Sequence, residues 1–157
     1  MDSFLWDIGT KVYFGRGQIK NLGPEAALRG KKALLVYGGG SVKRTGVYDA
    51  ACRSLMEHGV SFAELSGVDP NPRIESVREG VRICREFGAE MVIALGGGSS
   101  IDCAKVIAAS VSSDADPWDL VCGREKYKSV LPILTVLTLA ATGSEMDHIA
   151  VISNMDI

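Results

Sequence analysis

A chain of 157 residues with 17 Lys and Arg against 19 Asp and Glu (net charge −2), 46% hydrophobic and 23% charged, is sized and composed for one globular domain spanning 1–157. The near-neutral charge removes the electrostatic footprint of a nucleic-acid binder, and the longest apolar runs, 33–37, 91–95 and 133–141, fall far short of the roughly 18 residues of a membrane span. Glycine is the one excess, 18 of 157 or about 11% against roughly 7% in ordinary domains.

In chain order, residues 5–14 set Gly9-Thr10 between two apolar pieces, which predicts an N-terminal hairpin or edge strand. The run 33–37 predicts a buried strand meeting the turn Gly38-Gly39-Gly40. Residues 45–58 predict a helix capped by Thr45 and stopped by Gly59, with His58 at its end interacting with the helix dipole. Val60, Phe62 and Leu65 outline a second strand, followed by the rigid turn Asp69-Pro70-Asn71-Pro72. A helix over 74–87 carries Val77, Val81 and Cys84 on one stripe and ends at Gly88. The run 91–95 predicts a third strand leading into Gly96-Gly97-Gly98-Ser99-Ser100 and a helix that continues to about residue 111. A polar stretch containing Asp116-Pro117-Trp118 separates this helix from a fourth strand over 133–139. Near-continuous apolar strands alternating with helices predict an α/β fold, a Rossmann-like parallel sheet with helices on both faces, plus the N-terminal hairpin or edge strand.

Cys52, Cys84, Cys103 and Cys122 show no CxxC spacing and no neighbouring His, so buried reduced thiols and a cytoplasmic setting are expected. Residues 1–10 carry an early acid and no basic region, and no secretory signal is expected there. The two histidines, His58 and His148, are too far apart to suggest a metal site.

In a parallel sheet the loops that follow the strands crowd one edge, where ligands bind. The turn Gly96-Gly97-Gly98 lets backbone approach an anion without Cβ obstruction, and the helix behind it aims its positive end there, so a phosphate or pyrophosphate fits. Ser99 or Ser100 can donate to that phosphate or cap the helix, and Asp102 follows Ser99 at capping-box spacing. Lys105 is read as a solvated lysine of the early helix rather than a ligand, the ligand reading remaining the alternative. Neither the P-loop nor the GxGxxG pattern is present. After the first strand, at Gly38, Gly39 and Ser41, no acid follows to bind ribose hydroxyls. Lys43 and Arg44 follow instead and suit a 2′-phosphate, so NADP(H) is favoured over NAD(H), the alternative being that both are merely exposed. Asn71 is held rigidly enough to face a ligand or is simply part of a turn, and Thr138, Thr142 and Ser144 add hydroxyls at the same edge.

Lys11-Val-Tyr-Phe-Gly-Arg-Gly17, Tyr37-Gly-Gly-Gly-Ser41, Asp69-Pro-Asn-Pro72, Gly96-Gly-Gly-Ser-Ser-Ile-Asp102 and Ala141-Thr-Gly-Ser-Glu-Met146, in this order, resemble the iron-containing (group III) alcohol dehydrogenases, most closely their butanol dehydrogenase branch. The resemblance implies an NAD(P)-binding domain of an oxidoreductase that moves hydride between NAD(P)H and a primary alcohol or aldehyde such as butanol or butyraldehyde. It places Gly97, Gly98 and Ser99 at the pyrophosphate, Asp102 near the nicotinamide, Thr138 and Thr142 on the cofactor, Asn71 in the cleft and Gly38 where NAD and NADP are told apart. It also implies a second, all-helical domain whose Asp and three His bind Fe²⁺ or Zn²⁺. Those ligands fall beyond Ile157, so no catalytic or metal-binding residue is expected in this chain, which is expected to be inactive alone. A homodimer or other self-association, in part through the N-terminal strand, is implied as well. Asp147 stands where the family commonly has Asn, and His148 and Ile149 are larger than the small residues expected there. The alternative is a stand-alone nucleotide-binding module or an oligomerising remnant without catalysis.

Overall fold

A strand that is apolar at every position must be covered on both faces, and this requirement sets the layout of residues 9–156, which the computed structural model describes. A 3₁₀ turn (Gln18–Asn21) and α1 (Leu22–Ala27) lead into β1 (Lys32–Gly38), followed by α2 (Ser41–Arg44), α3 (Val47–Glu57) and β2 (Ser61–Val68). Then come α4 (Ile74–Phe87), β3 (Met91–Gly96), α5 (Gly98–Ser110), α6 (Pro117–Val121), β4 (Ile133–Leu137) and a second 3₁₀ turn (Ser144–Met146). The sheet has the order β2-β1-β3-β4 and every pairing is parallel.

Side-chain alternation along the two central strands divides the core. Leu34 and Val36 of β1 with Val92 and Ala94 of β3 face α4 and α5, where Val77, Val81, Ile101 and Ile107 meet them. Ala33, Leu35 and Tyr37 with Met91, Ile93 and Leu95 face the other way, onto Leu22 and Ala26 of α1 and Ala51 and Leu55 of α3. Residues 33–36 and 91–95 are wholly buried. The Val77, Val81, Cys84 stripe of α4 is buried as its spacing predicts, and Gly88 ends the helix in the left-handed conformation (φ 70°). A Cβ at Gly80 would lie 2.2 Å from Ile107 Cδ1, so α4 and α5 approach at a separation that only glycine allows.

Several expectations are corrected. Residues 9–14 form no strand, and the remainder of the expected N-terminal hairpin or edge strand, 5–8, lies outside the described residues. Lys11 and Tyr13 instead attach this segment to Glu25 of α1, with Tyr13 Oη donating at 2.6 Å; Arg29 contacts the same carboxylate. Thr45 does not cap a helix over 45–58. It closes α2, its hydroxyl donating to the Ser41 carbonyl at 3.1 Å, and Gly46 (φ 76°) starts α3. The left-handed glycine breaks what reads as one continuous pattern. Asp116 caps α6 by accepting from Trp118 N at 2.8 Å, in a stretch read from sequence as polar loop. β4 ends at Leu137, two residues early. No helix is long and apolar enough to cross a membrane among the described residues.

Cys52, Cys84 and Cys103 are buried as expected, while Cys122 is exposed. Burial pushes the Cys84 and Cys103 thiols up to about 12. A chromogenic disulfide reagent at pH 8 is therefore expected to titrate one thiol rapidly in the native protein and all four in denaturant. Replacing Cys122 by Ser should abolish the rapid phase.

Candidate functional site

The chain winds from β1 outward to β2, then crosses back over β1 to β3 on its other side. The loops leaving β1 and β3 therefore diverge, and a crevice opens between them beyond the carboxyl ends of the strands. Both glycine triplets lie at this crevice.

At the end of β3, Gly96 adopts φ 149°, and a Cβ there would lie 2.7 Å from Ser100 Oγ. Gly97, extended, begins the thirteen-residue α5 without a capping side chain, so neither Ser99 nor Ser100 is the N-cap. The N–H groups of Gly98, Ser99 and Ser100 make no backbone hydrogen bond among the described residues. Three donors without a backbone partner and the positive end of a three-turn helix converge on one point that no side chain of the turn's glycines obstructs, an arrangement that favours an anion.

The loop after β4 closes over this turn. Thr138 N donates to Gly96 O at 3.0 Å, and a Cβ at Gly98 would lie 2.7 Å from Thr142 Oγ1. Asp102, one turn into α5, accepts from Ser144 Oγ at 2.6 Å and from Val151 N at 3.1 Å. Lys105 is not solvated as expected. Its side chain is 14% exposed, and Nζ donates to Ser144 Oγ, Asp147 Oδ1 and the Ile149 carbonyl, each at 2.8 Å. The ammonium, with the Ile149 N–H, holds the Asp147 carboxyl below its ordinary range. Sequence offered only one sign of this role: Lys105 lies three residues after Asp102, on the same face of α5.

Across the crevice, Gly38 is paired with Val68, and a Cβ there would lie 3.2 Å from the Val68 carbonyl oxygen. Gly39 and Ser41 are exposed at the same rim, and Gly40 (φ 107°) turns the chain into α2. Asn71 follows β2, one strand farther out. It is exposed and left-handed (φ 60°), in a loop anchored by the Arg73–Asp69 ion pair at 3.4 Å and by Ile74 N donating to Ser153 O at 2.9 Å. The structure thus gathers Gly97, Gly98, Ser99, Asp102, Thr138 and Thr142 in one place, sets Gly38, Gly39 and Ser41 opposite, and leaves Asn71 at the periphery. His58 ends α3, its Nδ1 2.8 Å from Ser54 O, and takes no part. Among the described residues, no three His, Cys, Asp or Glu side chains converge where they could hold a metal ion.

A fully parallel sheet, a switch-point crevice and a bare turn opening onto a helix define an α/β domain of the Rossmann-like class. Within that class, the sequence model of the iron-containing alcohol dehydrogenases matches residues 9–156, and the chain belongs to that family. It is 56% identical, over 99% of its length, to NADH-dependent butanol dehydrogenase A of Clostridium acetobutylicum, and 40% identical, over 98%, to the NADPH-dependent aldehyde reductase YqhD of Escherichia coli. The crystal structure of NADH-dependent butanol dehydrogenase A from Thermotoga maritima superposes with a TM-score of 0.93 at 43% identity, covering 99% of this chain and 39% of that one. The chain spans 40% of the length of each of these two curated relatives.

Gly98 has an ordinary backbone conformation, so alanine there keeps the helix while its methyl group displaces the exposed Thr142 side chain and sits in front of the N–H groups of the turn. Should the turn hold a dinucleotide's pyrophosphate, Gly98→Ala is expected to weaken NADH binding about tenfold, equivalent to about 1.4 kcal/mol, with at most a small fall in the unfolding midpoint, as read by calorimetric titration and urea melts.

Proposed function

We propose that this chain is the cofactor-binding part of a metal-dependent oxidoreductase that moves hydride between NAD(P)H and a primary alcohol or aldehyde of the butanol/butyraldehyde class. The observation that carries the reading is the turn 96–100, where three unpaired N–H groups and the N-terminus of α5 meet behind glycines whose Cβ atoms would fill the space. The relatives' names supply the substrate class.

Gly97, Gly98 and Ser99 hold the pyrophosphate through backbone N–H groups. Thr138 and Thr142 close over it, and Asp102, fixed by Ser144 and Val151 N, presents its carboxylate towards the nicotinamide side. Gly38, Gly39 and Ser41 receive the adenosine ribose, with Asn71 at the outer rim. The bound nicotinamide supplies or accepts the hydride. The residues described here contain no donor set for iron or zinc, so metal chemistry is assigned to none of them.

For the cofactor itself, NAD(H) is used and NADP(H) is not repelled. No acid follows β1, so a 2′-phosphate meets no carboxylate on the rim. The side chain of Arg44 makes no hydrogen bond or ion pair among the described residues, and its Nη1 lies 3.8 Å from a Cβ placed on Gly40. Lys43, counted from sequence as a second phosphate ligand, is engaged with Tyr37 and Tyr48 instead. This moves the balance from the NADP(H) preference read in the sequence towards NADH, the cofactor in the names of relatives at 56% and 55% identity. Buried thiols fit a reducing, cytoplasmic compartment.

The 157-residue chain is expected to bind NADH and NADPH in calorimetric titration at up to millimolar concentration, and to give no butyraldehyde reduction with or without added Fe²⁺ or Zn²⁺. Metal-dependent turnover by the chain alone would overturn the assignment, and so would silence with both cofactors. The rim of the β4 side exposes Phe14, Leu139, Ile149 and Val151 at 62–95%. Self-association of the chain is therefore expected, seen in sedimentation velocity as a mean mass that rises with concentration.

A further inference from the structure

Beside the first glycine turn lies a polar cluster that the reading above does not use. Tyr37, the last side chain of β1 before Gly38, and Tyr48 in the first turn of α3 meet edge to face, with ring centroids 5.5 Å apart. Both phenols donate to one carboxylate, Glu64 of the edge strand β2: Tyr48 Oη to Oε1 at 2.7 Å and Tyr37 Oη to Oε2. Lys43, two residues after Ser41, folds its ammonium onto the same pair, 4.6 Å from the Tyr48 centroid and 5.2 Å from that of Tyr37.

These contacts reinforce one another. A carboxylate that accepts from both phenols fixes the rings and adds electron density to them, which strengthens their hold on a cation. Glu64 also attracts Lys43 directly, and the Lys43 ammonium is stabilised in its charged form chiefly by Tyr37. The Lys43 ammonium is therefore engaged by the Tyr37 and Tyr48 rings and Glu64. The side chain of its neighbour Arg44 stays beside Gly40 and makes no hydrogen bond or ion pair among the described residues.

We propose that Glu64, acting through Tyr37 and Tyr48, withholds Lys43 from the ribose rim and thereby sets the discrimination between NADH and NADPH. Glu64 is a positioning residue for cofactor choice and touches no part of the cofactor. The proposal rests on the cofactor-site reading above. Of the two cations that follow the turn, one is available to a 2′-phosphate and one is held in reserve, and the carboxylate on β2 determines which.

The test is a double-mutant cycle read as the ratio of NADPH to NADH dissociation constants, measured by calorimetry on the whole 157-residue chain. Glu64→Gln keeps the side-chain shape and removes the charge that anchors the cluster. It should tighten NADPH binding about three- to fivefold, the scale of one exposed charge pair, with NADH unchanged. Lys43→Met in the native background should change the ratio less than about twofold, while Lys43→Met added to Glu64→Gln should erase the gain. Tyr48→Phe, which keeps Glu64 and removes one hydrogen bond, should give a smaller shift in the same direction and covers the case in which Glu64→Gln fails to fold. The inference is overturned if the ratio is unmoved in Glu64→Gln and Tyr48→Phe, or if the gain survives loss of Lys43, which would make it a general effect of net charge. If the native chain binds neither cofactor, the cofactor-site reading fails and the inference falls with it; normal binding with an unmoved ratio refutes the inference alone.

Discussion

Burial of β1 and β3 on both faces is the constraint from which the site follows. Two adjacent parallel strands with apolar side chains above and below need helices on each side. The crossovers that supply those helices must leave the pair in opposite directions, through α2 and α3 to one face and α5 to the other. A gap at the carboxyl ends is the geometric consequence. The site is thus located by core packing, before any polar residue is considered. Glycine turns on both banks keep that gap open to backbone chemistry, because a side chain at 96 or 98 would collide with Ser100 or Thr142.

What packing opens, an ion pair keeps in shape. The loop after β4 carries half of the polar groups at the crevice and has little core of its own, since residues 137–142 are exposed. Lys105 and Asp102, one turn apart on α5, hold it at Ser144, Asp147, Ile149 and Val151. Because the Lys105 side chain is largely shielded from water, this ion pair is screened less than those on the outer face of α4, where Arg82 pairs with Glu79 and Glu86 in full solvent. Asp147 occupies a position where the family resemblance leads one to expect Asn. The carboxylate accepts from the lysine while also taking the Ile149 N–H. The exchange of amide for acid is accommodated locally by a cation already present.

The parts of this fold that sequence makes legible are those whose cause is local. The α4 boundaries read correctly to the residue, because a single apolar stripe fixes the face and a left-handed glycine fixes the stop. The glycine turn between β3 and α5 reads from sequence for the same reason. Where cause and effect are far apart in the chain, sequence reading fails. α1 has six residues, too few for a periodic pattern, and is held by packing on α3 and by Gly23 N donating to Ser54 Oγ at 2.9 Å. Thr45 looks like a cap because nothing local shows that Gly46 turns left-handed. Lys105 looks solvated because its partners lie 39 to 44 residues downstream.

The same distinction explains why counting cations after the first glycine turn misleads. By sequence, Lys43 and Arg44 are equivalent, two adjacent positive charges two and three residues past Ser41. In the fold they are separated by what lies across β1: an aromatic pair and a carboxylate on one side, an open rim on the other. A point charge on a flexible stem is easily captured by rings and an acid, whereas a guanidinium with no partner stays where its helix places it. Electrostatic preference at such a rim therefore depends less on how many basic residues follow the turn than on which of them neighbouring strands have already engaged. In this chain that engagement comes from β2, the strand farthest from the glycine turn at 96–98.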